Sequence, residues 1–147
     1  MALRDRIAAL KLMNRIKQHE METLGAALAG LRDAEKELED QSARLRKDAL
    51  SEATQSTEDT RSFLPAYLKS VETRQFSLTD ECAIIADKTV LAEEKLFQSF
   101  RESKTTEQVL GRVTNEFALE EARAVTAEMD DAGRALFLLK RKGQIVM

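Results

Sequence analysis

The chain has 147 residues, of which 33% are charged and only 5% are aromatic, and it contains one proline, one cysteine and no tryptophan. So few turn formers and large core residues exclude a compact domain of several layers, and the lone Cys82 excludes an internal disulfide. The longest purely apolar run, 135–139, is too short to cross a bilayer, and the basic first 17 residues lack the apolar core of a signal peptide. We therefore expect a cytoplasmic protein.

A leucine recurs every seven residues through the first third of the chain. The repeat comprises Leu3, Leu10, Leu24, Leu31, Leu38 and Leu45, with Lys17 in the one remaining slot. A sustained seven-residue period keeps apolar side chains facing a partner helix only if the helices supercoil. The pattern therefore predicts a first helix, from about residue 3 to about residue 54, that packs along a seam.

A polar stretch without seam residues follows this helix. Its sequence, TQSTEDT at 54–60, predicts a turn over about 55–61. Ser62 is the predicted N-cap of a second helix over about 62–140, and Pro65 falls in its first turn, where a missing N–H costs little. From Leu64 onward, seam residues resume with alternating spacings of three and four.

The two helices match each other when the chain folds back near residue 58. Residues whose numbers add to 116 or 117 then face each other, so that Leu38 meets Leu78 and Leu31 meets Ile85. An unpartnered buried polar group costs about 1–3 kcal/mol, so matched polar layers favour one register. The polar seam residues pair as Ser42 with Gln75, Lys17 with Ser99, and Asn14 with Ser103. We predict an all-α fold, a long antiparallel two-helix coiled-coil hairpin forming a single unit over 1–147.

In this register the second helix continues well past the first, because Leu3 lies near Val113. The C-terminal helical overhang carries apolar side chains without a partner in the chain, so we expect it either to be frayed or to dock on another molecule. Charge is also uneven: residues 1–19 hold five Lys or Arg against one acid, and residues 133–147 hold four against none. The helix dipole accounts for basic residues at a C-terminus but disfavours them at an N-terminus. The N-terminal set, which indicates an acidic partner surface, comprises Arg4, Arg6, Lys11 and Arg15.

A broken apolar stripe lies off the seam on the second helix, comprising Phe76, Ile84, Val90, Leu91 and Phe97. Scattered exposed apolar residues are normal on protein surfaces, so the stripe is either incidental or a docking surface. Nucleic acid is not a predicted partner, because no aromatic residues interleave with the basic ones and the net charge is −3.

No enzyme, cofactor or metal site is indicated. His19 is the only histidine and lies in a charged helical stretch, and Cys82 falls in the seam. The segment GAALAG at 25–30 lacks the Lys-Ser/Thr of a phosphate-binding loop, so its glycines are expected to allow close approach or bending within the first helix.

With these features the chain resembles the FliJ-like stalk proteins of bacterial flagellar export and their counterparts in type III secretion injectisomes. The likeness covers the length, the unequal antiparallel helices, the basic ends, Phe100-Arg101-Glu102-Ser103-Lys104, and EFALEEARAVTAEMDD at 116–131. The tail LFLLKRKGQIVM at 136–147 departs from the family, whose ending is mostly basic.

The resemblance implies a central stalk without catalytic residues. In this family the end bearing both termini inserts into the pore of the hexameric export ATPase, the region near the hairpin tip contacts the cytoplasmic domain of the export gate, and some members handle export chaperones. The chain would then be held at the cytoplasmic face of the inner membrane through its partners alone. The implied ATPase-binding end comprises Leu3, Arg4, Arg6, Ile7, Leu10, Arg112, Phe117, Glu120, Glu121 and Arg123. The implied export-gate or partner surface comprises Tyr67, Val71, Phe76, Ile84, Leu91 and Phe97.

Two other functions stay open. In an export chaperone, the apolar stripe would clasp an amphipathic segment of a secreted protein, helix in groove. In a structural coiled coil, the same stripe would join copies of the chain into an oligomer.

Overall fold

The computed structural model describes residues 2–146 of the chain, with side chains over 2–143. Within that range the chain forms α1 (Leu3–Gln55), a 3-10 helix (Arg61–Phe63) and α2 (Leu64–Val146). The predicted fold class is confirmed: the protein is an all-α antiparallel two-helix coiled-coil hairpin with a C-terminal helical overhang. α2 continues beyond its predicted end near residue 140.

Packing groups the residues into two units. The terminal unit combines Met1–Gln18 with Arg101–Met147, and the middle unit is His19–Phe100. Both boundaries fall inside helices, so no loop marks them in the sequence. The terminal unit holds thirteen Lys or Arg against nine acids, and the middle unit holds ten against seventeen. The two units therefore carry net charges of opposite sign.

Two threonines hold the turn between the helices. The backbone N–H of Thr57 donates to Thr60 Oγ1 at 2.9 Å, and the Thr57 carbonyl accepts from the backbone N–H of Thr60 at 3.1 Å and of Arg61 at 2.9 Å. Threonine hydroxyls bind nearby backbone groups readily, and no described residue has a positive φ, so the turn forms without glycine. The N-cap predicted at Ser62 is wrong, because Ser62 lies within the 3-10 helix, and the N-cap of that helix is Thr60.

The core within each unit is a thin seam between α1 and α2. The buried described residues are four apolar and three polar ones: Leu28, Val71, Leu78, Val113, Thr89, Ser99 and Ser103. The six on α2 occupy seam positions that the spacing from Leu64 onward predicts, and Leu28 lies on the same face of α1 as Leu24 and Leu31 of the leucine repeat. Because each helix buries only one stripe of side chains, the stability of the fold depends on few residues. The buried hydroxyl of Thr89 donates a hydrogen bond to the Ile85 carbonyl of its own helix at 2.9 Å.

One predicted polar pair forms as expected. Ser42 Oγ donates to Gln75 Oε1 at 2.7 Å, and Gln75 Nε2 donates to the Ser42 carbonyl at 3.0 Å. These two bonds join α1 to α2 with residue numbers that add to 117. Because of these reciprocal bonds, both side chains have hydrogen-bond partners. A polar layer fixes the register of the two helices only under that condition.

The other two polar pairs were predicted to face each other, and neither forms hydrogen bonds like those that join Ser42 to Gln75. Lys17 Nζ forms an ion pair with Glu102 Oε2, since a carboxylate attracts an ammonium group more strongly than a neutral hydroxyl does. Ser99 Oγ and Asn14 Oδ1 are buried without a hydrogen-bond partner in the described part of the chain. Each unsatisfied atom carries a desolvation penalty of about 1–3 kcal/mol.

These contrasts predict opposite effects for one substitution at two seam positions. Ser99→Ala removes an unsatisfied buried hydroxyl and is expected to raise the free energy of unfolding by about 1 kcal/mol. Ser42→Ala removes the donor to Gln75 Oε1 and is expected to lower it by about 1 kcal/mol. Both variants gain the same helix propensity. The difference between their free energies of unfolding, measured with urea, therefore reports the effect of the hydrogen bond. Equal shifts in both variants would contradict the assignment of partners.

The glycines of α1 have no packing role. A Cβ built on Gly25 or Gly30 meets nothing within 4 Å, so the prediction that they allow close approach is wrong. Glycine in a helix interior is less favourable than alanine by about 1 kcal/mol, because it loses more conformational entropy on folding.

Candidate functional site

The predicted ATPase-binding end lies in the terminal unit, where its apolar and charged members have different environments. Its apolar members Leu3, Ile7, Leu10 and Phe117 are half-buried. They belong to the seam between α1 and α2 and offer little apolar surface to a partner. Its charged members are all exposed: Arg4, Arg6, Arg112, Glu120, Glu121 and Arg123.

The basic side chains near the start of α1 are in solvent. Arg4, Arg6, Lys11 and Arg15 are exposed, and no ion pair joins any of them to another described residue. Positive charge near a helix N-terminus is unfavourable by about 0.3–1 kcal/mol. The arrangement does not stabilise the helix, which leaves these charges available to an acidic surface on another molecule.

A second apolar patch on α1 was missed by the sequence analysis. Leu12, Met13 and Ile16 are each about half exposed and lie outside the seam positions. Ile16 lies four residues after Leu12 and three residues after Met13, spacings that place it beside both on the helix surface, a signal that is present in the sequence. Following a single heptad seam hides it, since these residues fall between seam positions.

The predicted export-gate or partner surface lies in the middle unit and is not one surface. Phe76, Ile84, Leu91 and Phe97 are more than half exposed, as is Val90 from the same stripe. Tyr67 is half-buried. Val71 is only 9% exposed, because it is a seam residue facing α1, so its prediction as a surface residue is wrong.

An open hollow of about 340 Å³ adjoins Ile84 between α1 and α2. It is lined by Ala34, Glu37, Leu38, Glu81, Ile84 and Ile85. Glu37 pairs with Arg44 at 3.2 Å and Glu81 with Arg74 at 3.6 Å, so both rim carboxylates are already occupied by cations. An apolar floor with a neutralised rim fits an aliphatic side chain of a partner better than a charged ligand.

Two further apolar residues flank the turn. Leu50 near the end of α1 and Phe63 in the 3-10 helix are among the most exposed large apolar side chains described. Phe63 directly precedes Leu64, the first seam residue of α2, and therefore lies outside the seam. A partner that contacts the turn end of the hairpin would meet these two residues.

Comparison with known proteins identifies no relative of this chain. No family model, curated protein or solved structure matches it. Among the described residues, no group of three His, Cys, Asp or Glu side chains is arranged to hold a metal ion. No described helix has a stretch long and apolar enough to cross a membrane.

Proposed function

We propose that this chain is the central stalk and adaptor of a bacterial flagellar or type III secretion export apparatus. Its terminal unit binds the pore of the hexameric export ATPase, and its middle unit links the ATPase to the cytoplasmic domain of the export gate. The chain catalyses no reaction and acts from the cytoplasmic face of the inner membrane through its partners, with export chaperones as additional ligands.

The observation that carries this proposal is the solvated basic cluster in the terminal unit. Antiparallel packing brings the start of α1 alongside the C-terminal part of α2, as the Lys17–Glu102 ion pair supports. Four exposed cations near an N-terminus, with no ion pair to a described residue, contribute little to folding. They retain their full charge for a ring whose pore is lined by carboxylates or carbonyls.

The link to the export gate rests on the exposed apolar residues of the middle unit. Phe76, Phe97 and the turn residue Phe63 present aromatic area of the kind that dominates binding energy at interfaces. A stalk requires separate contact surfaces for its two partners. The basic cluster and the aromatic residues belong to different units of the chain, which meets that requirement.

ATP turnover tests the proposal. Addition of the full chain to the hexameric ATPase of the same export apparatus is expected to raise turnover until the rings are saturated. High salt is expected to reduce the effect, since exposed charges are screened over about 10 Å at 0.1 M ionic strength. Unchanged turnover in the presence of folded protein would contradict the proposal.

The hollow beside Ile84 favours one second candidate, an export chaperone. A secreted amphipathic helix would place an aliphatic residue in the hollow and lie along the Phe76 to Phe97 stripe. That function predicts a stable complex with a secreted protein and no effect on ATP turnover. The turnover assay therefore separates the two candidates.

A further inference from the structure

The overhang, residues 118–143 of α2, carries a second heptad seam of its own. Apolar or small residues recur with alternating spacings of four and three at Ala118, Ala122, Val125, Met129, Ala132, Leu136, Leu139 and Gly143. This spacing has the period of 3.5 that places side chains on one face of a supercoiled helix. The hairpin seam ends at Phe117, so the new seam starts where the contact with α1 stops.

This second seam is in solvent in the single chain. All side chains of the overhang are exposed, and Val125, Met129, Leu136 and Leu139 are each more than half exposed. A regular coiled-coil face in which every member is exposed lacks its partner helix.

The seam is complementary to itself when two copies run antiparallel. In the register where residue numbers add to 261, Ala122 faces Leu139, Val125 faces Leu136, and Met129 faces Ala132. Each layer then combines a larger with a smaller side chain, which is the condition for even packing density along a seam. All eight seam positions find a partner in this one register.

Charge selects the same direction. Residues 116–131 contain six acids and one arginine, whereas residues 134–142 contain four Lys or Arg and no acid. Antiparallel pairing lays the acidic half of one copy along the basic half of the other, and Glu121 flanks the seam opposite Lys142 of the second copy. Parallel pairing would set like charges side by side.

We infer that residues 118–143 pair antiparallel with the same residues of a second copy of this chain. The interface is isologous, with a two-fold axis between residues 130 and 131. Asp130 and Asp131 fall at outer positions of the heptad, where their charges stay in water. Glu121 also belongs to the predicted ATPase-binding end.

Sedimentation equilibrium of the full chain tests this pairing. The wild type is expected to be a dimer that dissociates on dilution. Leu136→Glu with Leu139→Glu places four carboxylates in the paired seam and is expected to abolish the dimer. Circular dichroism is expected to stay unchanged, because neither residue packs in the hairpin seam.

A matched control uses the two residues between them. Phe137→Glu with Leu138→Glu makes the same chemical change at side chains of similar exposure, 64% and 56% against 68% and 65% for Leu136 and Leu139. These positions lie outside the seam, so this variant is expected to remain a dimer. A monomeric wild type, a dimer that survives the seam substitutions, or loss of the dimer in both variants would overturn the inference.

Disulfide trapping tests the direction. In a Cys82→Ala background, Val125→Cys chains mixed with Leu136→Cys chains are expected to form the mixed disulfide in preference to either like disulfide. Preferential linking of Val125→Cys chains to each other would indicate a parallel pair and overturn the inference. Neither result depends on an ATPase, so the pairing stands or falls independently of the proposed function.

Discussion

Replacement of Leu78 by alanine is expected to lower the free energy of unfolding by about 2–5 kcal/mol. Leu78 is 2% exposed and belongs to a core with only four buried apolar residues among those described. It borders the surface hollows beside Leu45 and beside Cys82, so no second layer of side chains can collapse into the space that a smaller residue leaves. Urea unfolding followed by far-UV circular dichroism measures the loss.

Leu50→Ala is the matched control for this prediction. Leu50 lies in the same middle unit and in a helix but is 68% exposed, so the same deletion of side-chain atoms is expected to change stability by less than about 0.5 kcal/mol. A similar loss in both variants would show that burial in the seam does not determine the stability of the hairpin.

Reversal of two charges at the start of α1 is expected to abolish the stimulation of the export ATPase. Arg4→Glu with Arg6→Glu converts the exposed basic cluster to a mixed one and would set carboxylates against the acidic surface proposed for the ring. Acidic residues near a helix N-terminus are favourable, so the variant is expected to be at least as helical as the wild type. Loss of stimulation would then report lost binding, which a pull-down with the ATPase measures directly.

The control for this variant makes the same charge change elsewhere on α1. Arg46 and Lys47 are exposed residues of the middle unit, and Arg46→Glu with Lys47→Glu is expected to retain stimulation. If both double variants lose stimulation equally, the effect is one of net charge and not of the terminal cluster. If Arg4→Glu with Arg6→Glu stimulates like the wild type, the cluster is not the ATPase contact.

Heptad periodicity predicted which residues are buried because it states which side of each helix faces the other. All the buried described residues are seam positions, and the Ser42–Gln75 pair follows from folding the pattern back on itself. The position of the turn was predicted, but its backbone geometry was not. Its geometry depends on the Thr57–Thr60 hydrogen bonds, which spacing of apolar residues does not encode.

Partners of long polar side chains were predicted less well than positions in the seam. Lys17 reaches Glu102 because a flexible four-carbon chain selects the nearest carboxylate and not the residue directly opposite. The patch of Leu12, Met13 and Ile16 was missed since one helix can carry two apolar faces and a single seam describes only one. Burial also separates Val71 from the other residues of the predicted export-gate or partner surface.

The register that sets residue 42 of α1 against residue 75 of α2 is tested most directly by disulfide trapping within one chain. In a Cys82→Ala background, Ser42→Cys with Gln75→Cys is expected to form an intramolecular disulfide on mild oxidation, whereas Ser42→Cys with Asp87→Cys is not. The antiparallel hairpin predicts a cross-linked species with the mass of a single chain. Disulfides that form only between chains, or equally in both pairs, would contradict it.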